Sequence, residues 1–316
     1  MPPHVHQHPR LTASSQSERA AAIESLRPLR PTAEPVHVLP ADAPERLRAP
    51  LLGLLLANSR AKAAELSAWL SPQHTEGEHF LNNVSAAEMW SMFTPTFPCL
   101  FTLEKHPTSA AEHDGGKWIC GLQEMGRAAR RQHKGSCTVY SVGSAMKFDF
   151  EARVHRVAPQ CDIHTFDPTV AAHMVKRFVP SYIDAFHRVG LGRQAGALGF
   201  GRCPSCPMMP LTRLMSSLNH SSIDILKVDV EGFEFRGVLT AISRGMRIGQ
   251  LLVELHPSAF GLRASGRAVD TVHRTLISLR EAGLHLFSIE PVTMRDHSQV
   301  EAAFVNEDWT PAGWLR

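Results

Sequence analysis

The stretch "CTVYSVGSAMKFDFE" (residues 137–151) changes from a β-branched and aromatic run to apolar residues at helical spacing, with Gly143 between the two. The first half predicts a buried strand and the second half predicts a helix. A glycine at such a turn has two explanations: the chain packs too closely for a side chain, or a ligand lies against the main chain. The stretch alone leaves both open.

Strand-like and helix-like segments alternate after this turn. The sequence predicts strands over 161–168, 185–192, 223–232, 249–257, 284–292 and 301–308, and helices over 146–158, 169–179, 211–220, 233–243 and 267–283. Alternation requires crossover connections, which predict a mostly parallel sheet with helices on both faces. The last two strands have no helix between them, so we expect one antiparallel strand. Residues 193–210, rich in Gly and Pro, are predicted to form a loop.

The N-terminal third has a different character. Residues 1–50 are rich in Pro, Ala, Arg and His and are predicted to be flexible, whereas residues 51–113 are predicted to form a helical and irregular extension, with a helix over 51–70. The α/β domain is predicted to cover residues 114–316. The apolar run "LLGLLLA" (51–57) is much shorter than the roughly 20 residues that span a bilayer. We interpret it as a buried helix, with a membrane anchor or a displaced signal segment as the alternative.

Charge and cysteine content limit the kinds of binding partner and of cellular compartment that the sequence indicates. The 316 residues carry 33 Lys and Arg against 30 Asp and Glu, a net charge of +3, which does not indicate a nucleic-acid partner. Six cysteines are too few for a disulfide-rich scaffold, so we expect Cys137 and Cys161 to be buried free thiols. The "CPSC" pair (203–206) is expected to lie in a loop without zinc. A soluble, cytoplasmic protein is favoured, a secreted or anchored form is left open, and the oligomeric state is not indicated.

The predicted sheet places a candidate ligand site at its carboxyl edge, where parallel strands end and ligands bind. Gly143 and Ser144 follow the first strand, and Asp167 follows Gly143 by 24 residues, at the end of the second. An acidic side chain there can accept hydrogen bonds from ribose hydroxyls, although Asp before Pro can also cap a helix. The turn lacks the G-x-G-x-x-G pattern of dinucleotide sites, which favours a cofactor without phosphates, such as S-adenosylmethionine.

Charged residues interrupt two otherwise apolar strands. Asp229 and Glu231 stand in "KVDVEGFEF", and Glu254 and His256 share one face of "VELHP". Burying a carboxylate without a partner is costly, so these side chains are expected to converge on one crevice. There they can orient a nucleophile, act as a general base, or bind a divalent cation. We predict catalytic roles for Asp229, Glu231 and His256 and assign no metal.

Several segments, in chain order, resemble methyltransferase-like 24 type proteins, relatives of the FkbM methyltransferases. The resemblance covers roughly residues 114–306 and rests on "DGGKWICG", "CTVYSVGSAMKFDFE", "CDIHTFDP", "FHRVGLG", "IDILKVDVEGFEF", "QLLVELH" and "AAFVN". It implies a Rossmann-like class I S-adenosylmethionine-dependent methyltransferase fold: a mostly parallel seven-stranded sheet with an antiparallel last strand. This sequence differs from the glycine-rich class I pattern in having one glycine at the first turn.

The resemblance also implies roles for individual residues. Val142, Gly143 and Ser144 would line the methionine side of the cofactor, Asp167 would hold the ribose, and Asp229 would face the region of methyl transfer. The expected reaction is an in-line displacement onto an oxygen or nitrogen of an unidentified acceptor. The alternatives are a non-catalytic protein that keeps the fold for binding and, less favoured, an NAD-type oxidoreductase.

Overall fold

The computed structural model describes residues 45–70, 90, 92–106, 116–130, 135–200, 203–239, 242, 245–256, 266–292 and 299–314. Most of the predicted flexible segment, residues 1–44, lies outside the described residues. Residues 45–50 belong to a helix, so the predicted boundary at residue 50 falls inside that helix.

The helices and strands alternate as the sequence predicted. The helices are α1 (Glu45–Trp69), α2 (Leu122–Ala129), α3 (Asp149–Val157), α4 (Ala172–Phe178), α5 (Leu211–Ser217) and α6 (Gly266–Glu281), with a short π-helix at Glu234–Val238. The strands are β1 (Leu103–His106), β2 (Lys117–Cys120), β3 (Cys137–Val142), β4 (Cys161–Phe166), β5 (Ala185–His187), β6 (Gly190–Leu191), β7 (Gly196–Phe200), β8 (Cys203–Met209), β9 (Ile223–Val228), β10 (Ile248–Leu255), β11 (Leu284–Pro291), β12 (Val300–Asn306), β13 (Trp309–Thr310) and β14 (Gly313–Trp314).

Seven strands form the main sheet, in the spatial order β11-β12-β10-β9-β3-β4-β5. Strand β12 is antiparallel to both neighbours, β10 and β11, while the pairs among β10, β9, β3, β4 and β5 are parallel. The predicted Rossmann-like class I methyltransferase fold is confirmed, with the antiparallel strand last of the seven in the chain. The chain reverses its direction of strand addition between β3 and β9, which is where such sheets bind ligands.

The central strands are buried on both faces because helices cover the sheet on both sides. Every residue of β3 is buried, and β9 is buried except at one position. Helix α3 contributes Phe150, Val154 and Val157, spaced four and three residues apart, to a core cluster that also contains Val139 and Ile163. The helical spacing after Gly143 therefore serves to cover one face of the sheet.

A two-stranded hairpin lies outside the main sheet. Strands β1 and β2 pair antiparallel, with His106 opposite Lys117. The Gln250 side chain on β10 accepts a hydrogen bond from the Cys120 N–H at 2.8 Å and donates one to the Cys120 carbonyl at 2.7 Å. The hairpin is thereby fixed against β10, and it crosses the predicted domain boundary at residue 114.

Two sequence predictions about local structure are wrong, and a third is met only in part. The segment predicted as a loop over 193–210 contains β7 and β8, which pair antiparallel and form a small sheet with β6. The strand predicted over 185–192 is split into β5 and β6, which belong to different sheets. A π-helix of 5 residues, Glu234–Val238, occupies part of the helix predicted over 233–243, of which residues 240, 241 and 243 lie outside the described residues.

The cysteine predictions are also corrected. Cys137 and Cys161 form a disulfide because they are register partners at the start of the parallel neighbours β3 and β4, with Cα atoms 4.5 Å apart. Cys203 is joined to Cys206 within β8, and Cys99 to Cys120. The sequence spacing could not show that strands 24 residues apart start side by side.

Helix α1 confirms the helix predicted over 51–70. Leu52, Leu55 and Leu56 pack against a core cluster, while Leu54 is 70% exposed. Among the described residues, every helix is too short or too polar to cross a bilayer.

Candidate active site

A cavity of about 720 Å³ opens at the carboxyl ends of β3, β4 and β9. This volume lies within the range of about 300–1,000 Å³ that is usual for small-molecule sites. Residues from three predicted turns line it: Val142, Gly143, Ser144, Ala145, Asp167, Asp229 and Glu231, together with Lys117, Glu151, Phe166, Met208, Lys227 and others. Every predicted cofactor-binding residue is on this wall.

The turn after β3 owes its glycine to the neighbouring main chain. Gly143 has a φ of 81°, and a Cβ atom built on it would overlap the carbonyl oxygen of Asp229. Ala145 and Met146 also have positive φ, at 45° and 64°. Lys227 donates a hydrogen bond to the Gly143 carbonyl. Of the two explanations for this glycine, close packing of the chain accounts for it in the structure.

Asp167 holds this turn from the next strand. Its Oδ2 accepts hydrogen bonds from the N–H groups of Ser144 and Ala145, at 3.1 and 3.0 Å, and from the Ser144 hydroxyl at 3.1 Å. Its Oδ1 accepts from the N–H and hydroxyl of Thr169, at 3.0 and 2.6 Å. Burial opposes ionisation, but the hydrogen bonds from Thr169, Ala145 and Ser144 lower the pKa of Asp167 overall. The carboxylate is therefore ionised and engaged by the chain's own donors. The N-cap position of helix α4 is Ala171, which makes no side-chain cap hydrogen bond, so Asp167 is not the N-cap of this helix.

Asp229 lies just beyond β9, next to two ammonium groups. Its Oδ2 is 3.5 Å from Lys117 Nζ and 3.8 Å from Lys227 Nζ. Burial would raise the pKa of Asp229, but the ammonium groups of Lys117 and Lys227, with the His256 ring, lower it to about 2. Asp229 is thus an ionised carboxylate on the cavity wall, well suited to bind a positive group or accept a hydrogen bond.

A buried carboxylate shapes the turn that follows Asp229. Glu231 and Gly232 have φ values of 51° and 101°, and Glu234 Oε1 accepts hydrogen bonds from the N–H groups of Gly232 at 3.0 Å and Val230 at 3.4 Å. The same oxygen is 2.9 Å from His256 Nδ1. Glu234 therefore links the Glu231 turn to the end of β10.

His256 is only 2% exposed and is behind the cavity wall. Its Nε2 is 3.4 Å from Glu254 Oε1 and 3.6 Å from Glu231 Oε2. Burial would lower the pKa of His256, but the hydrogen bonds and charges of Glu234 and Glu254 raise it to about 10. A protonated, buried imidazole is a poor general base, and here it supports the exposed Glu231 side chain.

The predicted carboxylates converge, together with one that the sequence analysis did not name. Lys117 Nζ is 2.5 Å from Glu301 Oε1, 3.4 Å from Glu254 Oε2 and 3.5 Å from Asp229 Oδ2. Burial would lower the pKa of Lys117, but these three carboxylates raise it above its usual range. Burial raises the pKa of Glu301 to about 7, although Lys117 opposes this. A single buried ammonium group is therefore shared by three strands.

Three of these side chains are close enough together to bind a metal ion. One ligand atom each of Asp229, Glu231 and His256 lies within 4.8 Å of the others. However, the carboxylate of Asp229 already faces the ammonium groups of Lys117 and Lys227. Both ring nitrogens of His256 are also engaged, Nδ1 at 2.9 Å from Glu234 Oε1 and Nε2 at 3.4 Å from Glu254 Oε1, so we assign no metal to this group.

Sequence reasoning missed Lys117, Glu234 and Glu301, although usable signals exist for two of them. Lys117 begins the short apolar strand "KWIC", and Glu301 interrupts "VEAAFVN" as Asp229 and Glu231 interrupt theirs. Glu234 carries no such signal, since "FEFRGV" is typical of an ordinary amphipathic segment.

Comparison with known families agrees with this fold. A family model described as a methyltransferase domain matches residues 60–306. The chain belongs to this methyltransferase-domain family. Two similar proteins are both named probable methyltransferase-like protein 24. The rat protein is 24% identical over 228 residues, covering 69% of this chain and 58% of that protein. The human protein is 27% identical over 168 residues, covering 52% and 44%. This methyltransferase-family chain spans about half the length of the curated relatives it matches.

Solved structures give weaker likenesses. The Methanococcus jannaschii fibrillarin pre-rRNA processing protein aligns with 65% of this chain and 88% of its own, at 7% identity and a TM-score of 0.36. A putative hemolysin from Streptococcus thermophilus covers 61% and 74%, at 11% identity and a TM-score of 0.35. Structural similarities with TM-scores this low support no functional conclusion.

Proposed function

We propose that the chain is an S-adenosylmethionine-dependent methyltransferase that transfers a methyl group to an oxygen or nitrogen of a small acceptor. The observation that carries the proposal is the cavity at the carboxyl ends of β3, β4 and β9, with the ionised Asp229 on its wall. A carboxylate-lined cavity complements a cofactor that carries a sulfonium and an ammonium group. Membership of the methyltransferase-domain family supports the same reading.

The turn after β3 forms the cofactor side of the proposed site. Val142, Gly143 and Ser144 would lie against the methionine part, on a main chain held by the Lys227 hydrogen bond to the Gly143 carbonyl. Asp167 would hold this turn in place by accepting three hydrogen bonds from it. In its proposed contact with the ribose, a cofactor hydroxyl would replace the Thr169 hydroxyl on Oδ1.

The carboxylates that follow β9, Asp229 and Glu231, form the acceptor side, and Asp229 would also face the cofactor. S-Adenosylmethionine supplies an electrophilic methyl group when bound, so the protein's main task is to align the nucleophile at about 3 Å from it. Asp229, with its low pKa, would orient the acceptor by accepting its hydrogen bond. Glu231, whose side chain is 86% exposed at the cavity mouth, would receive the proton. His256 would act through Glu231, as a positioning residue.

The test is calorimetric titration of S-adenosylmethionine into the wild-type chain and Asp229→Asn. The substitution removes the charge that faces the cofactor, and a hydrogen bond to a charged group contributes about 1.5–3 kcal/mol, so we expect Asp229→Asn to bind about tenfold or more weakly. Asp270→Asn is the matched control, because Asp270 lies exposed on α6 and pairs with Arg274. A wild-type chain that binds no cofactor at millimolar concentration would contradict the proposal.

Two alternatives give different results in the same experiment. A non-catalytic binding protein would bind S-adenosylmethionine but would transfer no methyl group to any member of a broad acceptor panel. An NAD-type oxidoreductase would be stabilised by a nicotinamide dinucleotide instead. The cavity wall opposes the second alternative, because the turn at residues 143–147 has a single glycine where a pyrophosphate site has three.

The disulfides indicate the kind of cellular compartment in which the protein folds. All six cysteines are paired, and such bonds persist in oxidising compartments and are rare in the cytosol. We therefore propose that the protein folds in an oxidising compartment, in place of the cytoplasmic location favoured from the sequence.

A further inference from the structure

Four carboxylates stand side by side across neighbouring strands of the main sheet. Glu290 on β11 is the register partner of Glu301 on β12, and Glu301 is the register partner of Glu254 on β10. Asp229 follows β9 directly, one position beyond the parallel pair of Val228 and Val253. We call Glu290, Glu301, Glu254 and Asp229 the acidic row.

Like charges directly opposite each other destabilise a sheet, so the acidic row needs counter-ions. The row is also largely out of water at its centre, where the Glu254 and Glu301 side chains are each 4% exposed. The β1–β2 hairpin supplies the cations. Lys105 on β1 binds Glu290 at 2.5 Å, and Lys117 on β2 contacts the other three members of the row.

We propose that Lys117 is a positioning residue of the methyltransferase site, which holds Asp229 in place on the cavity wall from a hairpin that lies outside the seven-stranded sheet. The inference rests on the proposed function, since it concerns the cofactor-facing carboxylate of that site. It makes strand β2, through Lys117, a component of the active site, and it explains why a lysine with 6% exposure stands on the cavity wall.

The geometry separates Lys117 from its neighbour Lys227. Lys227 is farther from Asp229, at 3.8 Å, and its ammonium group donates to the Gly143 carbonyl. Lys117 is nearer, at 3.5 Å, and it also neutralises Glu254 and Glu301, the buried carboxylates beside Asp229. Without Lys117, Glu301 would take up a proton readily, because its pKa is already about 7. Asp229 would lose its nearest cation while still facing Glu254, so its side chain would take up a proton more readily or move away.

The experiment measures the dissociation constant of S-adenosylmethionine between pH 5.5 and 7.5 for the wild-type chain, Lys117→Met and Lys105→Met. In Lys117→Met, Asp229 still faces Lys227, His256, Glu254 and Glu301, but the nearest cation is gone. Lys117→Met should bind S-adenosylmethionine at least about fivefold more weakly than the wild-type chain at pH 5.5, and the difference should shrink toward pH 7.5 as Asp229 loses its proton. Lys105→Met is the matched control: it removes a hairpin lysine at the other end of the row and should keep the wild-type profile.

The pH profile distinguishes positioning from a merely structural role, which would lower the melting temperature alone. If Lys117→Met does not fold, Lys117→Met combined with Glu301→Gln removes the cation together with its closest carboxylate, and the same pH dependence is expected. Wild-type affinity and profile in the Lys117 variant overturn the proposal, as does an identical change in Lys105→Met. A wild-type chain that binds no S-adenosylmethionine overturns the proposed function as well, so the two failures are distinguishable.

Discussion

Replacing Gly143 by alanine tests whether the first turn is built against the end of β9. Gly143 N–H donates to the Phe166 carbonyl at 2.9 Å, and Asp229 N–H donates to the Val142 carbonyl at 2.9 Å. These bonds hold the three strand ends together at the cavity. A methyl group on residue 143 would be placed into the Asp229 carbonyl oxygen, so the strand ends must separate.

Two costs add to give the magnitude. The left-handed conformation, at φ 81°, costs a residue with a Cβ about 1–2 kcal/mol. Relieving the overlap with Asp229 adds about 1–3 kcal/mol, as overpacking usually does. Gly143→Ala should therefore lower the free energy of unfolding by about 2–5 kcal/mol. It should also weaken cofactor binding, because Asp229 moves with its carbonyl.

Gly245→Ala is the matched control for this prediction. Gly245 has a φ of 95°, but no atom of the described residues lies within 4 Å of a Cβ built on it, so only the conformational cost is expected. Urea unfolding of both variants measures the difference, which should be about 1–3 kcal/mol in favour of Gly245→Ala. Equal destabilisation within about 0.5 kcal/mol would refute the reasoning, because the packing against Asp229 would then cost nothing.

Two further predictions concern stability. Replacing Cys137 and Cys161 together by alanine should lower the free energy of unfolding by about 3 kcal/mol, since the disulfide closes a loop of 24 residues; unchanged urea unfolding would contradict the pairing. Burial, with the charges of His220 and His187, lowers the pKa of His164 to about 4, below the value of about 6.5 expected in the unfolded chain. As the pH falls, His164 therefore takes up a proton in the unfolded chain before it does so in the folded chain. The free energy of unfolding keeps the full contribution of the neutral His164 above about pH 6.5 and loses it as the pH falls toward 4. The urea midpoint of the wild-type chain should decline between about pH 6.5 and 4, and it should decline less in His164→Gln. The same decline in both chains would contradict the low pKa of His164.

Much of the fold could be predicted because the signals are local. The alternation of strands and helices, the antiparallel pair at the end of the chain and the turn at Gly143 all follow from periodicity and turn residues. Asp167 and Asp229 could be placed at this edge of the sheet because they follow apolar strands directly, and both line the cavity there. The π-helix and the β7–β8 hairpin were missed, because their local patterns are also typical of a helix and a loop.

The roles of individual site residues depended on distances that no local pattern contains. Asp167 was predicted from its spacing to Gly143, but only the fold shows that the main chain already donates to its carboxylate. His256 was predicted as a base, yet the neighbouring Glu234 and Glu254 raise its pKa to about 10. Lys117 was not assigned a role, because its partners lie 112 to 184 residues away in the chain.

The sequence by itself determined the order of the elements, the class of sheet and the edge of that sheet where a ligand can bind. It could do so because hydrophobic period and strand direction are properties of short segments. Tertiary structure decided which carboxylates share a counter-ion, which cysteines pair and which histidines carry a proton. Those properties depend on contacts and burial between distant segments, and a charge or a thiol has no fixed behaviour until its neighbours are in place.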